Sequence, residues 1–218
     1  MKKLTVLFSF LFIASMAFAQ YNKGLTQQLG NNNVADLEQQ GFSNLASQYV
    51  DGNQNQTDIQ QIGDRNDHLI SYCEDCDYVQ PVYHYAWMQY VIGHRNLAAI
   101  TVFGNRNHTS QVILGNDNTA GIFVKGNRNN AGQEQRGNDH TASSTTYGNG
   151  NYAMMVQNGS GHWGGITQGT NNNSVNWNCA GVSQYGQNNY GSITQMSNHN
   201  CGAILQDGIG NQATMYQR

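Results

Sequence analysis

Cysteine is the side chain in this sequence best suited to redox or metal chemistry, and the chain has four of them. Cys73 and Cys76 form a Cys-x-x-Cys pair, a spacing found in redox centres and in half of a zinc site. A single such pair enclosing two acidic residues is a weak indication of either. In an exported chain a disulfide is the default, closed locally or through Cys179 and Cys201. Cys73–Cys76 is therefore a candidate disulfide, and no metal site is expected.

No other pattern in the sequence predicts a reaction. Gly159-Ser160-Gly161-His162-Trp163-Gly164 matches the dinucleotide-binding fingerprint by letter, but no βαβ pattern surrounds it. His140 and His162 take positions that Asn holds elsewhere in a repeat, which favours buried structural histidines. A repeated carboxylate pair, a nucleophile with a base and a phosphate-binding loop are all lacking from the sequence. We therefore expect no enzyme activity, no catalytic residue and no cofactor.

An eleven-residue repeat marked by Gly-x-x-Asn runs through most of the chain. It is clearest from Gly93-His94-Arg95-Asn96 to Gly126-Asn127-Arg128-Asn129. Between the marks lie seven-residue runs such as Asn96 to Val102, which are rich in β-branched residues and predict strands. A period this short is typical of a solenoid.

Side chains alternate along a strand, so the Asn mark and the residues two, four and six positions later share one face. Because this face carries Ala98, Ile100 and Val102 after Asn96, we expect it to point inward. Buried Asn and Gln side chains are satisfied if each amide meets an identical one in the next coil. The predicted ladder residues are Asn33, Gln39, Asn44, Asn55, Gln61, Asn66, Asn96, Asn107, Asn118, Asn129, Gln135, Asn151, Gln157, Gln168, Asn173, Asn189, Gln195, Asn200, Gln206, Asn211 and Gln217.

Glycine precedes the mark by three residues in most repeats, because a four-residue reversal needs a residue that tolerates positive φ. The predicted turn glycines are Gly30, Gly41, Gly52, Gly63, Gly93, Gly104, Gly115, Gly126, Gly137, Gly148, Gly159, Gly186 and Gly208. Two strand-turn units would form one coil of about 22 residues, and coils would stack about 4.8 Å apart. The predicted fold is all-β, an amyloid-like β-solenoid of stacked two-strand coils.

The chain divides into a leader and one domain. Residues 1–19 are predicted to be a signal peptide, with two lysines, an apolar run from Leu4 to Phe18 and a small-x-small end at Ala17-Phe18-Ala19. That run is short for a transmembrane span. Residues 20–218 are predicted to be a single β-solenoid. Two breaks in the period predict loop excursions near 73–84, with Tyr85 taking the next mark, and near 180–188.

Composition argues against a nucleic-acid partner and favours cross-β association. The chain has 10 basic and 13 acidic residues, and loss of Lys2 and Lys3 with the leader makes it more acidic, so no electrostatic footprint for nucleic acid exists. One proline, 25 glycines and 11% charged residues leave few groups that block strand association. The regular register of Ala, Ile and Val favours an ordered stack over disorder.

The spacing Gln-x-Gly-x-x-Asn-x-Ala-x-x-x-Gln resembles the curlin repeat of the curli fibre subunits of Gram-negative bacteria. It is complete from Gln28 to Gln39 and from Gln206 to Gln217, and partial from Gln195 to Gln206. The resemblance covers almost all of the mature chain, but the cysteine-bearing loop lies outside the family pattern. The last Gln of the motif is replaced by Val50, Tyr72, Val91, Val102, Ile113, Val124, Thr146 and Cys179.

This resemblance implies a secreted structural subunit of functional amyloid fibres, which self-assembles at the cell surface into biofilm matrix and mediates adhesion. The implied partners are other copies of the chain, another curlin subunit, and an outer-membrane secretion pore with its accessory chaperones. The implied location is extracellular, after transit through the periplasm. The resemblance fits both the major fibre subunit and the minor subunit that nucleates the fibre.

A monomeric β-solenoid binding module, such as an adhesin tip or an ice-binding protein, is the alternative function. An ice-binding face needs an outward Thr row on every coil, and Thr141, Ser143 and Thr145 are expected to stand alone. A soluble solenoid also needs distinct polar caps. Here the repeat starts close to the expected cleavage site and continues to Gln217, so we expect open edges at both ends and favour the fibre.

Overall fold

The protein is built from stacked parallel strands in two sheets. The computed structural model describes residues 22–64, 66, 88–171 and 174–218. These ranges contain strands and turns without a helix, and hence no helix with the length and apolarity to span a membrane. The predicted all-β stack of parallel strands is confirmed for these residues.

The strands are short, most of them six to nine residues long. In chain order they are β1 (Lys23–Leu29), β2 (Val34–Gln40), β3 (Leu45–Asn53), β4 (Gln56–Ile62), β5 (Met88–His94), β6 (Leu97–Phe103), β7 (His108–Leu114), β8 (Thr119–Lys125), β9 (Asn130–Asn138), β10 (Thr141–Asn149), β11 (Tyr152–Ser160), β12 (Trp163–Gln168), β13 (Val175–Asn176), β14 (Cys179–Gln187), β15 (Tyr190–Gln195), β16 (Cys201–Ile209) and β17 (Gln212–Gln217).

Successive strands alternate between the two sheets. The first sheet has the order β1-β3-β5-β7-β9-β11-β14-β16, and the second has the order β2-β4-β6-β8-β10-β12-β15-β17, with β13 paired to β10. Paired residues are 22 positions apart in most of the stack, as for Gln89 and Gln111. This arrangement is consistent with a β-solenoid, in which each unit contacts its neighbours along one axis.

The register is interrupted twice, and the first interruption precedes β5. Gln48 of β3 pairs with Gln89 of β5, 41 positions later. β5 takes the sheet position directly after β3, and Asn66 lies between Asn44 and Asn107 at the Asn mark. The predicted 73–84 excursion and the Tyr85 mark fall within 67–87, outside the described residues.

The second interruption lies earlier than the predicted 180–188, because β14 occupies Cys179–Gln187. The additional residues come before Asn178, so that Gln157 pairs with Gln184, 27 positions later. Val175 replaces the turn glycine here, which removes the usual signal. Asn178 lies eleven residues before Asn189, whereas the predicted Asn173 lies eleven residues after His162.

The core is the layer between the two sheets. Its apolar side chains, such as Ala46, Ile100 and Val102, are at most 1% exposed and follow the Asn mark by two, four and six positions. Burying a Val or Ile side chain stabilises the fold by roughly 1.5–3 kcal/mol. At the ends the pattern weakens, and β1 is exposed along its whole length.

Candidate functional site

Two columns of asparagine run along the stack at its turns. The Asn118 backbone N–H donates to Asn96 Oδ1 over 3.0 Å, and Asn118 Nδ2 donates to the Gly137 carbonyl over 2.9 Å. One asparagine therefore links its own coil to the coil on each side. The first column contains Asn33, Asn55, Asn96, Asn118, His140, His162, Asn189 and Asn211. The second contains Asn22, Asn44, Asn66, Asn107, Asn129, Asn151, Asn178 and Asn200.

Asn178, which the sequence analysis did not select, holds the place expected for Asn173. Its backbone N–H donates to Asn151 Oδ1 over 2.9 Å, and its own Oδ1 accepts from the Asn200 N–H over 2.7 Å. Asn173 lies outside the described residues. The ladder position is thus set by the register of β14 and not by distance from the preceding mark.

His140 and His162 continue the first column as a stacked pair. Their ring centroids are 5.0 Å apart and their planes differ by 6°. The His162 N–H donates to His140 Nδ1 over 3.2 Å, and His140 Nε2 lies 3.1 Å from the Arg136 carbonyl. A neutral ring with its proton on Nε2 satisfies both contacts. Burial lowers the pKa of His140, and the neighbouring His162 lowers it further.

Glutamine ladders run through the core beside these columns. Gln135 Nε2 donates to Gln157 Oε1 over 3.0 Å, and Gln157 Nε2 donates to Gln184 Oε1 over 2.9 Å. The other Nε2 proton of Gln157 reaches the Thr141 carbonyl of the opposite sheet, 3.1 Å away. The predicted residues found in such ladders are Gln39, Gln61, Gln135, Gln157, Gln168, Gln195, Gln206 and Gln217.

Gln184 fills the ladder position that the sequence analysis assigned to Cys179. It donates to Gln206 Oε1 over 2.9 Å and is fully buried. The register of β14 explains this difference, as it does for Asn178. The strand begins at Cys179, and alternation places its sixth residue, Gln184, inward.

A further ladder, not predicted from the repeat, lies two positions earlier in the first sheet. Gln48, Gln89, Gln111 and Gln133 are joined in that order by Nε2-to-Oε1 hydrogen bonds of 3.3, 2.8 and 3.0 Å. The Thr26 hydroxyl donates to Gln48 Oε1 and begins the ladder. Successive eleven-residue repeats lie in alternate sheets. A pattern sought in every repeat therefore misses a row that exists in only one sheet. The 22-residue spacing of Gln89, Gln111 and Gln133 is the signal that would have found it.

In the strands that carry the further ladder, an apolar residue replaces the glutamine expected six residues after the Asn mark. Val50, Val91 and Ile113 of the first sheet are fully buried there. Gln135 follows Ile113 in register, and its Oε1 has no hydrogen-bond partner. Ile113 has no donor to offer it. The amide row therefore changes position at β9, which carries both Gln133 and Gln135.

The turns stack as closely as the strands. A Cβ added to Gly126 would lie 1.8 Å from the Gly148 carbonyl oxygen of the next coil, so glycine is required by space as well as by φ. The predicted turn glycines all have φ between +98° and +139°, namely Gly30, Gly41, Gly52, Gly63, Gly93, Gly104, Gly115, Gly126, Gly137, Gly148, Gly159, Gly186 and Gly208.

The turns also carry an outer asparagine row that the sequence analysis missed. The Asn105 N–H donates to Asn127 Oδ1, and the Asn127 N–H donates to Asn149 Oδ1, each over 2.9 Å. This row runs opposite to the inner columns, because each N–H donates to the following coil. Its signal is the Asn directly after the turn glycine.

The two ends of the described stack present unpaired strands with complementary amide groups. At the β17 end, Gln217 Oε1 accepts from Gln195 Nε2 over 2.8 Å, while its Nε2 donates only to the Cys201 carbonyl. At the β2 end, Gln39 Nε2 donates to Gln61 Oε1 over 2.9 Å, while its Oε1 accepts no hydrogen bond from the described residues. One end offers an amide proton and the other an amide oxygen.

The second sheet also presents a threonine row on its outer face. Thr145, Thr167 and Thr194 lie in register on β10, β12 and β15. Thr119 and Thr141 pair on the same face at the start of β8 and β10. The expectation that Thr145 stands alone is therefore wrong, because the strand pairing aligns residues that are 22 and 27 positions apart.

Two of the four cysteines belong to the described residues. Cys73 and Cys76 lie outside the described residues. Cys179 and Cys201 are free thiols on β14 and β16. Within the described ranges, no group of three or more His, Cys, Asp and Glu side chains is placed to hold a metal ion.

The chain matches no family model, and no curated protein matches it significantly. The ladders and the two stack ends are the features of the molecule that bear on its function.

Proposed function

We propose that the protein is a secreted structural subunit that assembles head to tail into curli-type amyloid fibres. In this proposal each pair of strands forms one coil of a β-solenoid, 22 residues long in most of the stack, and the fibre axis continues the stacking axis. The observation that carries the proposal is the complementarity of the two open ends. Unpaired edge strands recruit further strands unless Pro, Lys or a covering segment blocks them.

The complementarity extends to the register of the terminal strands. Placing β1 and β2 of one copy beyond β16 and β17 of another aligns residues of the same kind along both sheets. The aligned pairs are Asn22 with Asn200, Gly24 with Gly202, Gln28 with Gln206, Gly30 with Gly208, Asn33 with Asn211, Ala35 with Ala213, Leu37 with Met215 and Gln39 with Gln217.

Hydrogen-bond direction makes this junction polar. Where two ladder Gln residues are paired inside the stack, the earlier one donates to the Gln of the following coil, so Gln217 Nε2 would donate to Gln39 Oε1 of the next copy. Each backbone N–H of the Asn column donates to the preceding coil, so Asn33 N–H of the next copy would donate to Asn211 Oδ1. Two like ends would bring donor to donor, which favours one growth geometry.

The cellular part of the proposal rests on the sequence. The signal peptide predicted over 1–19 supports export, and the resemblance to curlin repeats supports passage through a dedicated outer-membrane pore with accessory chaperones. At the cell surface the fibres would build biofilm matrix and mediate adhesion, with another curlin subunit as a partner.

The decisive experiment follows freshly purified residues 20–218 at neutral pH by thioflavin fluorescence and fibre diffraction. We expect a lag phase, a meridional reflection near 4.7–4.8 Å from the strand spacing, and loss of the lag when preformed fibres are added. A protein that stays monomeric and unstained, with or without seeds, would exclude the proposal.

A monomeric ice-binding module is the second candidate, favoured by the aligned Thr145, Thr167 and Thr194. A flat rank of threonines on a rigid sheet can order water in a repeating pattern. Freezing-point hysteresis of monomeric protein tests this candidate, with Thr167→Lys as the disruptive variant and Gln60→Lys on the same sheet as the control. Hysteresis abolished only by Thr167→Lys would support ice binding, and its absence in the parent protein would exclude it.

A further inference from the structure

We propose that Cys179 and Cys201 form an oxidisable dithiol that closes to an intramolecular disulfide and staples β16 to β14. The proposal concerns a single chain and does not depend on fibre assembly. It assigns the redox site to a pair other than Cys73 and Cys76.

Strand pairing brings the two cysteines together. Cys179 pairs with Cys201 in the parallel β14–β16 register, so both side chains leave the same face of the sheet. Neighbouring strands lie about 4.8 Å apart, which falls within the Cα separations of roughly 4.4–6.8 Å that disulfides span. The register continues on both sides, with Ala180 beside Gly202 and Gln184 beside Gln206. The pair is therefore fixed by many contacts other than its own.

The surroundings leave room for a reagent to reach the sulfur atoms. Cys201 is exposed and Cys179 is partly exposed. The next outward residue on β14 is Gly181, and a Cβ built there would meet no atom within 4 Å. The corresponding residue on β16 is Ala203, so no large side chain stands beside either thiol on that side.

The thiols interact with each other in the reduced state. A hydrogen bond with Cys201, together with burial and the charge of a Cys201 thiolate, raises the pKa of Cys179 to about 11. Cys179 is thus kept protonated at neutral pH, and the more exposed Cys201 is the thiol available for the first attack.

The reaction uses a low-molecular-weight disulfide as oxidant. The Cys201 thiolate attacks one sulfur of that disulfide, forming a mixed disulfide and releasing one thiolate, which takes up a proton. Cys179 then loses its proton and attacks Cys201 Sγ, which forms the Cys179–Cys201 bond and releases the second thiol. Two protein thiols are oxidised by two electrons, and one small disulfide is reduced to two thiols.

The disulfide would hold the terminal coil on the stack. Strand β16 contacts β14 on one side and has no strand on its other side among the described residues. Local opening is easiest at such an end. A covalent link restricts the opened states of β16, and backbone hydrogen exchange within it should slow by at least about tenfold.

The test uses residues 20–218 with Cys73→Ser and Cys76→Ser, reduced and then equilibrated in glutathione buffers of increasing oxidising strength. After acid quenching and alkylation, we expect a monomer lighter by two hydrogens and a proteolytic peptide linking β14 to β16. Cys201→Ser is the matched control and should yield at most one glutathione adduct on Cys179. Cys179 and Cys201 found only as free thiols, separate glutathione adducts or intermolecular cross-links would overturn the site.

Two further measurements test separately whether the Cys179–Cys201 disulfide forms in the full set of cysteines and whether it restrains β16. Repeating the oxidation with all four cysteines present should yield the same Cys179–Cys201 peptide, and dominant links to Cys73 or Cys76 would overturn the proposal. Hydrogen exchange compares β16 in the oxidised and reduced chain, with β6 as the internal reference. A disulfide that leaves the exchange of β16 unchanged would overturn stapling.

Discussion

A buried primary amide carries two N–H donors and one oxygen acceptor, and Gln157 satisfies all of them. It accepts from Gln135, donates to Gln184 and donates to the Thr141 carbonyl. The ladders therefore allow a core rich in Gln and Asn, because each coil supplies the partners that the next coil needs.

Gln157→Ala should lower the free energy of unfolding, since it leaves the Gln135 Nε2 and the Gln184 Oε1 groups without their partner. We expect a loss of roughly 1–3 kcal/mol for each buried group left unpaired. Asn158→Ala is the control, because Asn158 is the neighbouring amide on the exposed face. Urea denaturation of fresh monomer measures both, and equal losses would contradict the ladder assignment.

His140 should make stability depend on pH. Burial lowers its pKa, so the folded state keeps the ring neutral. As pH falls through the ordinary value of 6.5, the unfolded chain binds a proton that the folded chain does not, and stability falls. The groups that act on this ring are His162, Asp139 and the backbone carbonyls of Arg136 and Gly159.

His140→Asn removes the titrating ring and restores the common ladder residue. We expect its stability to fall less between pH 7 and pH 5 than that of the parent protein. His199→Asn, at an exposed turn, is the control and should keep the parental pH dependence. Urea midpoints across this pH range test the pair, and parallel curves for parent and His140→Asn would refute the role of His140.

The turn is the element that determines how closely coils approach. At Gly126 a φ of +137° coincides with contact between stacked backbones, whereas Gly121 lies in β8 with free space around its Cα. Local conformation and stacking thus select glycine at the same positions.

Gly126→Ala should destabilise the stack by about 1–3 kcal/mol from backbone conformation alone, and the clash with the Gly148 carbonyl adds to this. Gly121→Ala should be neutral or slightly stabilising, because Ala loses less conformational freedom than Gly in a strand. Thermal unfolding of both variants gives the comparison. A Gly126→Ala protein as stable as Gly121→Ala would show that the turns do not stack as described.

At the scale of the whole molecule, backbone N–H groups alternate in direction along each end strand, and this decides which of them are unpaired at that end. Tyr190 and Met196 of the preceding coil donate to the Asn211 and Gln217 carbonyls, so the N–H of Thr214 points away from β15. At the other end Val34 donates to the Asn55 carbonyl, so the N–H of Ala35 points away from β4.

Proline at these two positions should block one end each and leave the internal ladder in place. We expect Thr214→Pro alone and Ala35→Pro alone to stay monomeric, because each lacks one joining edge. An equimolar mixture should form heterodimers through the two intact edges and stop there. Sedimentation velocity measures the species. Fibres from either variant alone would contradict head-to-tail growth.

Strand positions, the inward face and the turn glycines could be predicted from the sequence because their causes are local. Alternation decides which side of a strand a residue occupies, and positive φ selects glycine whatever lies in the next coil. Residues such as Ile100 and Gly126 carry these signals in their own segment.

Pairing between distant segments was decided only by the tertiary structure. The Gln89–Gln111 ladder, the choice of Asn178 over Asn173 and the alignment of Cys179 with Cys201 depend on offsets of 22 or 27 residues between strands. An inserted segment changes that offset while the alternation within each strand stays the same. Register is therefore selected by the hydrogen bonds and packing of the whole stack, which no single repeat contains.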